Sequence, residues 1–195
     1  MGQSVYEMFR DAGLVTANLL DDSRKLVFED CENNIRFFLV KPSDVASYVE
    51  HGTADIGIVG RDILLETEAD VIDLLRFGLG ICRIAVAGPK DFVIDPTRPL
   101  KVATKYTNIT RKYFGERSQP IDTIYLNGSI ELAPIVGLSD VIVDIVETGT
   151  TLKENDLAVL EEIDESSAHL IVNRSSWRFK KDAIIDIVKK VSDEA

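Results

Sequence analysis

Apolar residues recur along the chain at two spacings, one typical of strands and one typical of helices. The longest β-branched run, Val-Ile-Val-Asp-Ile-Val at residues 141–146, predicts a buried strand. Residues 81–87 and 101–104 predict further strands, whereas 130–135 and 180–191 have helical spacing. Because strands alternate with helices, we predict an α/β fold with mostly parallel sheets.

The rest of the chain repeats this alternation. The remaining predicted elements are, in order, a helix over 6–14, strands over 26–28, 35–40 and 56–60, a short helix over 63–65, a helix over 108–114, and strands over 121–126 and 158–163. Pro42 is expected to begin another helix, with Ser43 as its N-cap. We expect Asn108 or Thr107 to cap the helix near residue 108.

Two apolar strands would carry the chain from one lobe to another, near Val86 and near Ile171. This predicts a first lobe of residues 1–86 with 168–195, and a second lobe of residues 87–167. Ligands of such folds bind in the cleft, at the carboxyl ends of strands.

Composition narrows the class of protein. The 195 residues carry a net charge of −11, which argues against nonspecific binding to nucleic acid or to anionic membranes. No apolar run reaches the roughly 18 residues of a membrane span, and the N-terminus lacks a secretion pattern. Cys31 and Cys82 form no disulfide framework. We therefore expect a reduced, cytoplasmic protein.

The segment after residue 146 has the composition of a phosphate-binding loop. Glu147 is followed by Thr148, Gly149, Thr150 and Thr151, so hydroxyls surround a glycine between a strand and a helix. Backbone N–H groups in such a turn can converge on a phosphate. Strand–turn–helix segments rich in threonine and glycine are also common structural connections, so spacing alone leaves both interpretations open.

Two carboxylates precede this loop, Asp144 and Glu147. They could bind ribose hydroxyls or a magnesium ion carried by phosphates. The full pattern, acidic-x-x-acidic-Thr-Gly-x-Thr, resembles the phosphoribosyl-pyrophosphate (PRPP) loop of phosphoribosyltransferases.

Five other stretches narrow the resemblance. With the loop, the matching segments are residues 23–26, 42–45, 48–62, 103–106, 128–134 and 143–152. In this order they resemble the short form of ATP phosphoribosyltransferase, the first enzyme of histidine biosynthesis. The resemblance implies a two-lobed fold like that of type II periplasmic binding proteins, with a central cleft. It also implies that N1 of ATP displaces pyrophosphate from C1 of PRPP, with Mg²⁺.

The resemblance also implies roles for individual residues. Residues 148–151 would hold the 5′-phosphate, and Asp144 and Glu147 would bind the ribose hydroxyls. The guanidinium of Arg24 would stabilise charge that grows on the departing pyrophosphate. Mg²⁺ would arrive with the substrates rather than occupy a metal site of the protein.

Three further residues are candidates for contacts with ATP or with phosphate. Lys41 and Lys105 would meet remaining phosphate charge, or they are ordinary surface lysines. Glu131 matches a cleft carboxylate of the family. Lys41 stands where arginine is usual, which would replace a two-pronged contact by a point contact, and Asp156 stands where glycine is common.

The two ends of the chain carry two expectations. The family normally starts with a strand and Lys-Gly-Arg, whereas Met1 stands directly before the first predicted helix, so we expect low turnover from these 195 residues. No regulatory domain follows Ala195, as in the short form. We therefore expect a homodimer that joins a separate regulatory subunit resembling histidyl-tRNA synthetase.

Two other functions compete with this interpretation. The same two-lobed fold occurs in non-catalytic binding modules, although no export signal or DNA-binding motif is visible. A phosphoribosyltransferase acting on a free base would also carry a Thr-Gly-x-Thr loop.

Overall fold

The computed structural model describes residues 2–15 and 25–192. The elements along these residues are α1 (Gly2–Asp11), β1 (Val27–Asp30), β2 (Ile35–Phe38), α2 (Pro42–Glu50), β3 (Ile56–Gly60), α3 (Arg61–Thr67), β4 (Ile72–Arg76), β5 (Cys82–Pro89), β6 (Leu100–Thr104), α4 (Thr107–Glu116), β7 (Ile121–Tyr125), α5 (Leu132–Ile135), β8 (Val141–Val146), α6 (Thr150–Glu154), β9 (Leu157–Ser166), β10 (Ala168–Val172), α7 (Arg174–Phe179) and α8 (Lys181–Ser192). The predicted alternation is confirmed, while β4 and α7 escaped the sequence analysis.

The chain divides into two compact units. The first comprises the chain up to Leu64, Glu68–Gly80 and the chain from Ser167, and the second comprises Leu65–Thr67 and Ile81–Ser166. Strand β5 belongs to the second unit because it pairs with β8 and β9 there. The lobe boundaries proposed from the sequence, with the first crossing near Val86, stay a prediction.

The first unit is built on a three-stranded sheet in the order β3-β10-β4, beside the β1–β2 hairpin. Strand β10 runs antiparallel to both neighbours and is buried at every position. Gly57 of β3 allows α2 to approach closely, since a Cβ there would lie 2.7 Å from side-chain atoms of Val45 and Val49. Within α2, Ala46 and Val49 are fully buried, whereas Tyr48 is exposed.

The second unit contains a five-stranded sheet in the order β7-β6-β8-β5-β9. Strands β7, β6 and β8 are parallel, and β5 runs antiparallel to β8 and β9. The prediction of mostly parallel sheets is therefore wrong, because the hairpin and the strands around β5 and β10 pair antiparallel. Parallel pairing is nevertheless what brings the carboxyl ends of β6 and β8 side by side.

Two predicted helix caps are also wrong. Lys41 is the N-cap of α2, and Ser43 lies inside the helix, where its hydroxyl donates to Asp44 at 2.9 Å. The N-cap of α4 is Tyr106. The Glu66 carboxylate of α3 accepts hydrogen bonds from the backbone N–H groups of Asn108 and Ile109, at 3.0 to 3.1 Å. A distant carboxylate thus replaces the local cap and suits the positive end of the helix.

Apolar side chains form a separate core in each unit. In the first unit, α8 packs Ile184 and Val191 against the sheet, as its helical spacing predicted. In the second unit, alanines of β5 and β6 meet the apolar side chains of β8. Within the described part of the chain, every helix is too short or too polar to cross a membrane.

Candidate active site

The loop between β8 and α6 has a backbone that only a glycine adopts without strain. Gly149 has φ of 75° and ψ of 8°, in the left-handed region. A Cβ at this position would meet Val146 at an ordinary 3.7 Å, so backbone conformation rather than space requires the glycine. The turn places the Thr148 and Thr150 hydroxyls 3.0 Å apart. Helix α6 begins at Thr150, directly after the turn.

This loop borders a cavity of about 250 Å³. Its lining includes every residue from Asp144 to Leu152, together with Glu131. Ala85 and Ala87 of β5 stand opposite Asp144 and Ile142 of β8, and both line the cavity with small side chains. The structure thus brings together the predicted loop, both predicted acids and Glu131. The first turn of a helix supplies N–H groups without intrahelical partners, as an anion site requires.

Asp144 is a partly buried acid of the cavity, with a side chain 26% exposed. Burial raises the pKa of its carboxyl above the usual value. The Lys105 ammonium, 3.6 Å from Asp144 Oδ1, lowers this pKa, and the Glu131 carboxylate raises it. Asp144 Oδ1 also accepts the N–H of Ile145 at 2.8 Å. The folded protein therefore holds this carboxylate at a cost, as expected of a group reserved for a ligand.

Lys105 and Lys41 are not among the residues that line the cavity, although Lys105 pairs with the cavity acid Asp144. Lys105 follows β6 directly, and its Nζ lies 4.8 Å from the centre of the Tyr106 ring. Lys41 is an exposed residue of the first unit, before α2. Arg24 lies outside the described residues, so its role stays a prediction. Asp156 has φ of 57°, which explains why glycine would suit the position.

Two features of the site escaped the sequence analysis. The alternating alanines of β5 were a readable signal, because residues at i and i+2 of a strand share a face. Thr104, at the end of β6, was not readable, since its buried hydroxyl bonds to β8 across the sheet. In residues 2–15 and 25–192, no group of three or more His, Cys, Asp or Glu side chains could hold a metal ion.

One solved structure resembles this fold closely, and a second shares it at a lower TM-score. A chain of the ATP phosphoribosyl transferase (HisG:HisZ) complex from Thermotoga maritima superposes with a TM-score of 0.86 at 38% identity, over 98% of this chain and 92% of that one. The alkanesulfonate-binding protein SsuA from Xanthomonas axonopodis pv. citri, bound to MOPS, has a TM-score of 0.54 at 12% identity, over 80% and 61%. The latter shows fold alone, and together they confirm the two-lobed type II periplasmic-binding-protein-like fold.

Sequence comparisons agree. The family model described as HisG: ATP phosphoribosyltransferase matches residues 41–193. Proteins named ATP phosphoribosyltransferase from Brachyspira hyodysenteriae and Clostridioides difficile are each 54% identical, covering 97% and 94% of this chain and 92% and 88% of their own lengths. A free-base transferase and a non-catalytic module are thereby disfavoured. The chain belongs to the ATP phosphoribosyltransferase family.

Proposed function

We propose that the cavity beside β8 holds PRPP while N1 of ATP attacks its anomeric carbon. The family's reaction, which this chain catalyses, is transfer of the phosphoribosyl group to ATP, giving phosphoribosyl-ATP and pyrophosphate in histidine biosynthesis. The observation that supports the location is that Asp144, Glu147 and the Thr-Gly-Thr-Thr turn line one cavity.

The turn suits the 5′-phosphate of PRPP. The Thr148 and Thr150 hydroxyls lie within hydrogen-bonding distance of each other, so both can donate to one phosphate group. The first backbone N–H groups of a helix lack intrahelical partners, so those of α6 would add fixed positive partial charge at the phosphate, although the Thr150 N–H also bonds Thr148 Oγ1 at 3.4 Å. The left-handed Gly149 makes this turn possible.

The two acids suit the ribose. Ionised carboxylates accept hydrogen bonds only, and the 2′- and 3′-hydroxyls of ribose are donors. Charge-assisted bonds of this kind are about twice as strong as neutral ones. Asp144 gains most from the substrate, because ribose hydroxyls would replace the water that burial has removed from it.

The reaction needs no nucleophile from the protein, because ATP supplies the attacking nitrogen. Catalysis therefore consists of positioning the two substrates and stabilising the leaving group. We assign leaving-group stabilisation to Arg24. Lys105 and Lys41 are assigned to the remaining phosphate charge, and Glu131 to the part of the cavity that faces the nucleotide.

The family requires a divalent metal ion, and we propose Mg²⁺. Mg²⁺ binds phosphate oxygens with one or two carboxylates and keeps several waters, so it suits a cavity lined by acids and hydroxyls. When bound to pyrophosphate, it neutralises charge on the leaving group. Asp144 and Glu147 are the carboxylates placed to contact a substrate-borne ion, as an alternative to the ribose hydroxyls.

We further propose a homodimer that joins a regulatory subunit resembling histidyl-tRNA synthetase. The relative from Thermotoga maritima, 38% identical to this chain, was solved as a HisG:HisZ complex, which supports such an assembly here. Light scattering of the chain alone and with the partner measures the assembly. A monomer that ignores the partner would contradict it.

Product formation tests the function. Incubation with ATP, PRPP and Mg²⁺, with and without the regulatory partner, is followed by mass spectrometry for phosphoribosyl-ATP. Product from ATP supports the proposal, whereas product from free adenine alone would identify a base phosphoribosyltransferase. PRPP uptake by calorimetry with no product from either acceptor would identify a binding module.

A further inference from the structure

Thr104 is a fully buried polar residue at the point where strands β6 and β8 stop pairing. Its hydroxyl donates to the carbonyl oxygen of Val143 at 2.7 Å and accepts the N–H of Tyr106 at 2.8 Å. Its own carbonyl accepts the N–H of Leu126, after β7, at 3.1 Å. One residue thus joins the ends of three neighbouring strands to the start of α4.

The position of this hydroxyl relative to the cavity follows from the register. Thr104 pairs with Val143, and this is the last pair of the β6–β8 ladder. The next residues along the two strands are Lys105 and Asp144, whose charged groups lie 3.6 Å apart. Successive residues of a strand face opposite sides of the sheet, so the side chain of Thr104 and that of Lys105 lie on opposite faces. The Thr104 hydroxyl therefore fixes the backbone that carries the Lys105–Asp144 pair.

We propose that Thr104 is a positioning residue for phosphoribosyl transfer, because its hydroxyl holds the backbones that set Lys105 against Asp144 at the PRPP cavity. This inference rests on the proposed function of the cavity. It adds a residue that contacts no substrate and acts through Lys105.

Packing alone does not explain a threonine here. Its neighbours Val102, Ala103 and Tyr106 are buried and apolar, and valine has the same shape as threonine. A buried hydroxyl is costly unless it is hydrogen-bonded, and this one makes two bonds to backbone groups. Replacement by valine would leave the Val143 carbonyl and the Tyr106 N–H without this partner, and the strand ends would be free to separate.

A double-mutant cycle between Thr104→Val and Lys105→Met tests the inference. We expect Thr104→Val alone to lower kcat/KM for PRPP, and calorimetric affinity for PRPP with Mg²⁺, by about tenfold. In the Lys105→Met background the same change should cost less than about twofold, since the positioned group is already gone. Equal losses in both backgrounds would mean that Thr104 only stabilises the fold, and would overturn the proposal.

Two matched variants complete the experiment. Thr110→Val removes another buried hydroxyl, which bonds the Tyr106 carbonyl, but that carbonyl keeps the Thr110 N–H, so kcat/KM should not change. Thr104→Ser keeps the hydroxyl and should restore most of the activity, and a serine variant as poor as valine would contradict the role. If Thr104→Val fails to fold by circular dichroism, Thr104→Ala takes its place in the cycle. A wild-type chain that makes no phosphoribosyl-ATP would refute the proposed function instead.

Discussion

Asp55 in the first unit and Asp144 in the second show two uses of a partly buried carboxylate. Burial by itself raises the pKa of Asp55, but hydrogen bonds from Lys180 and Ser176 outweigh it, and the net pKa is lowered. Lys180 Nζ lies 2.8 and 2.9 Å from the two carboxylate oxygens, and Ser176 Oγ donates at 2.6 Å. Asp55 thereby ties the start of β3 to α7 and to the residue before α8.

In Asp144, by contrast, hydrogen bonds and charge pairs do not outweigh the effect of burial on the pKa. Its salt-bridge partner, Lys105, is 3.6 Å away, and its pKa is raised. The contrast indicates that the first carboxylate stabilises the fold, and it supports our proposal that a ligand completes the shell of the second. Each of the following substitutions should therefore change either activity or stability more strongly, according to which of these two roles the residue has.

Asp144→Asn should have the largest effect. Loss of a charge-assisted contact to ribose should lower kcat/KM for PRPP about a hundredfold. Because the folded protein raises the pKa of this carboxyl, the neutral amide should also raise the Tm at pH 7. Steady-state kinetics and thermal unfolding measure the two quantities. A lower Tm together with the lost activity would mean that Asp144 is structural after all.

Gly149→Ala should damage the loop without damaging the fold. A Cβ at φ of 75° costs about 1–2 kcal/mol, so the turn should shift and PRPP affinity should fall about tenfold. Calorimetry with PRPP and Mg²⁺ measures this. Gly78→Ala is the matched control, because Gly78 has open space around its Cβ position and no left-handed backbone. Unchanged affinity in Gly149→Ala would argue against this turn as the phosphate site.

Asp55→Asn should have the smallest effect, and on stability only. The Asp55 side chain is 44% exposed, so solvent screens its pair with Lys180, and the loss should be at most about 1 kcal/mol. Turnover should stay within about twofold of wild type. Denaturant unfolding of the two proteins at pH 7 gives the difference, and a loss of activity without a loss of stability would reverse the comparison.

The pH dependence sharpens this last test. Because folding lowers the pKa of Asp55, its contribution is fully present above the ordinary value of 3.8 and is lost as the pH falls through the folded value. Wild type and Asp55→Asn should therefore converge in stability in acid. Ionised Asp144 has the opposite effect on stability, because folding raises its pKa. It destabilises the folded protein fully above the raised folded pKa, and this destabilisation disappears as the pH falls toward 3.8. The stabilities of wild type and Asp144→Asn should also converge in acid, but here the variant is the more stable protein at neutral pH.

The errors at the start of α4 and in strand direction arose where a distant residue replaced a local one, whereas the error at Ser43 is local, because its hydroxyl bonds Asp44 instead. The helix-start signals at Ser43 and at Thr107 or Asn108 were read as caps because such residues can bond their own backbone. In the structure, Glu66, more than forty residues before α4 along the chain, bonds that helix instead. The prediction of mostly parallel strands was wrong for the same reason, because the apolar run of β5 does not indicate which strands it pairs with.

The sequence by itself determined the strand over residues 141–146 and the glycine turn that follows it, and with them the acids and hydroxyls of the loop proposed to bind PRPP. These features depend on φ, ψ and side-chain preferences of neighbouring residues, which short stretches specify. Only the tertiary structure decided that Lys105 stands beside Asp144, that alanines of β5 line the cavity beside β8, and that Thr104 joins three strand ends. Those contacts depend on which strands pair and in which register, and burial of the whole chain sets both.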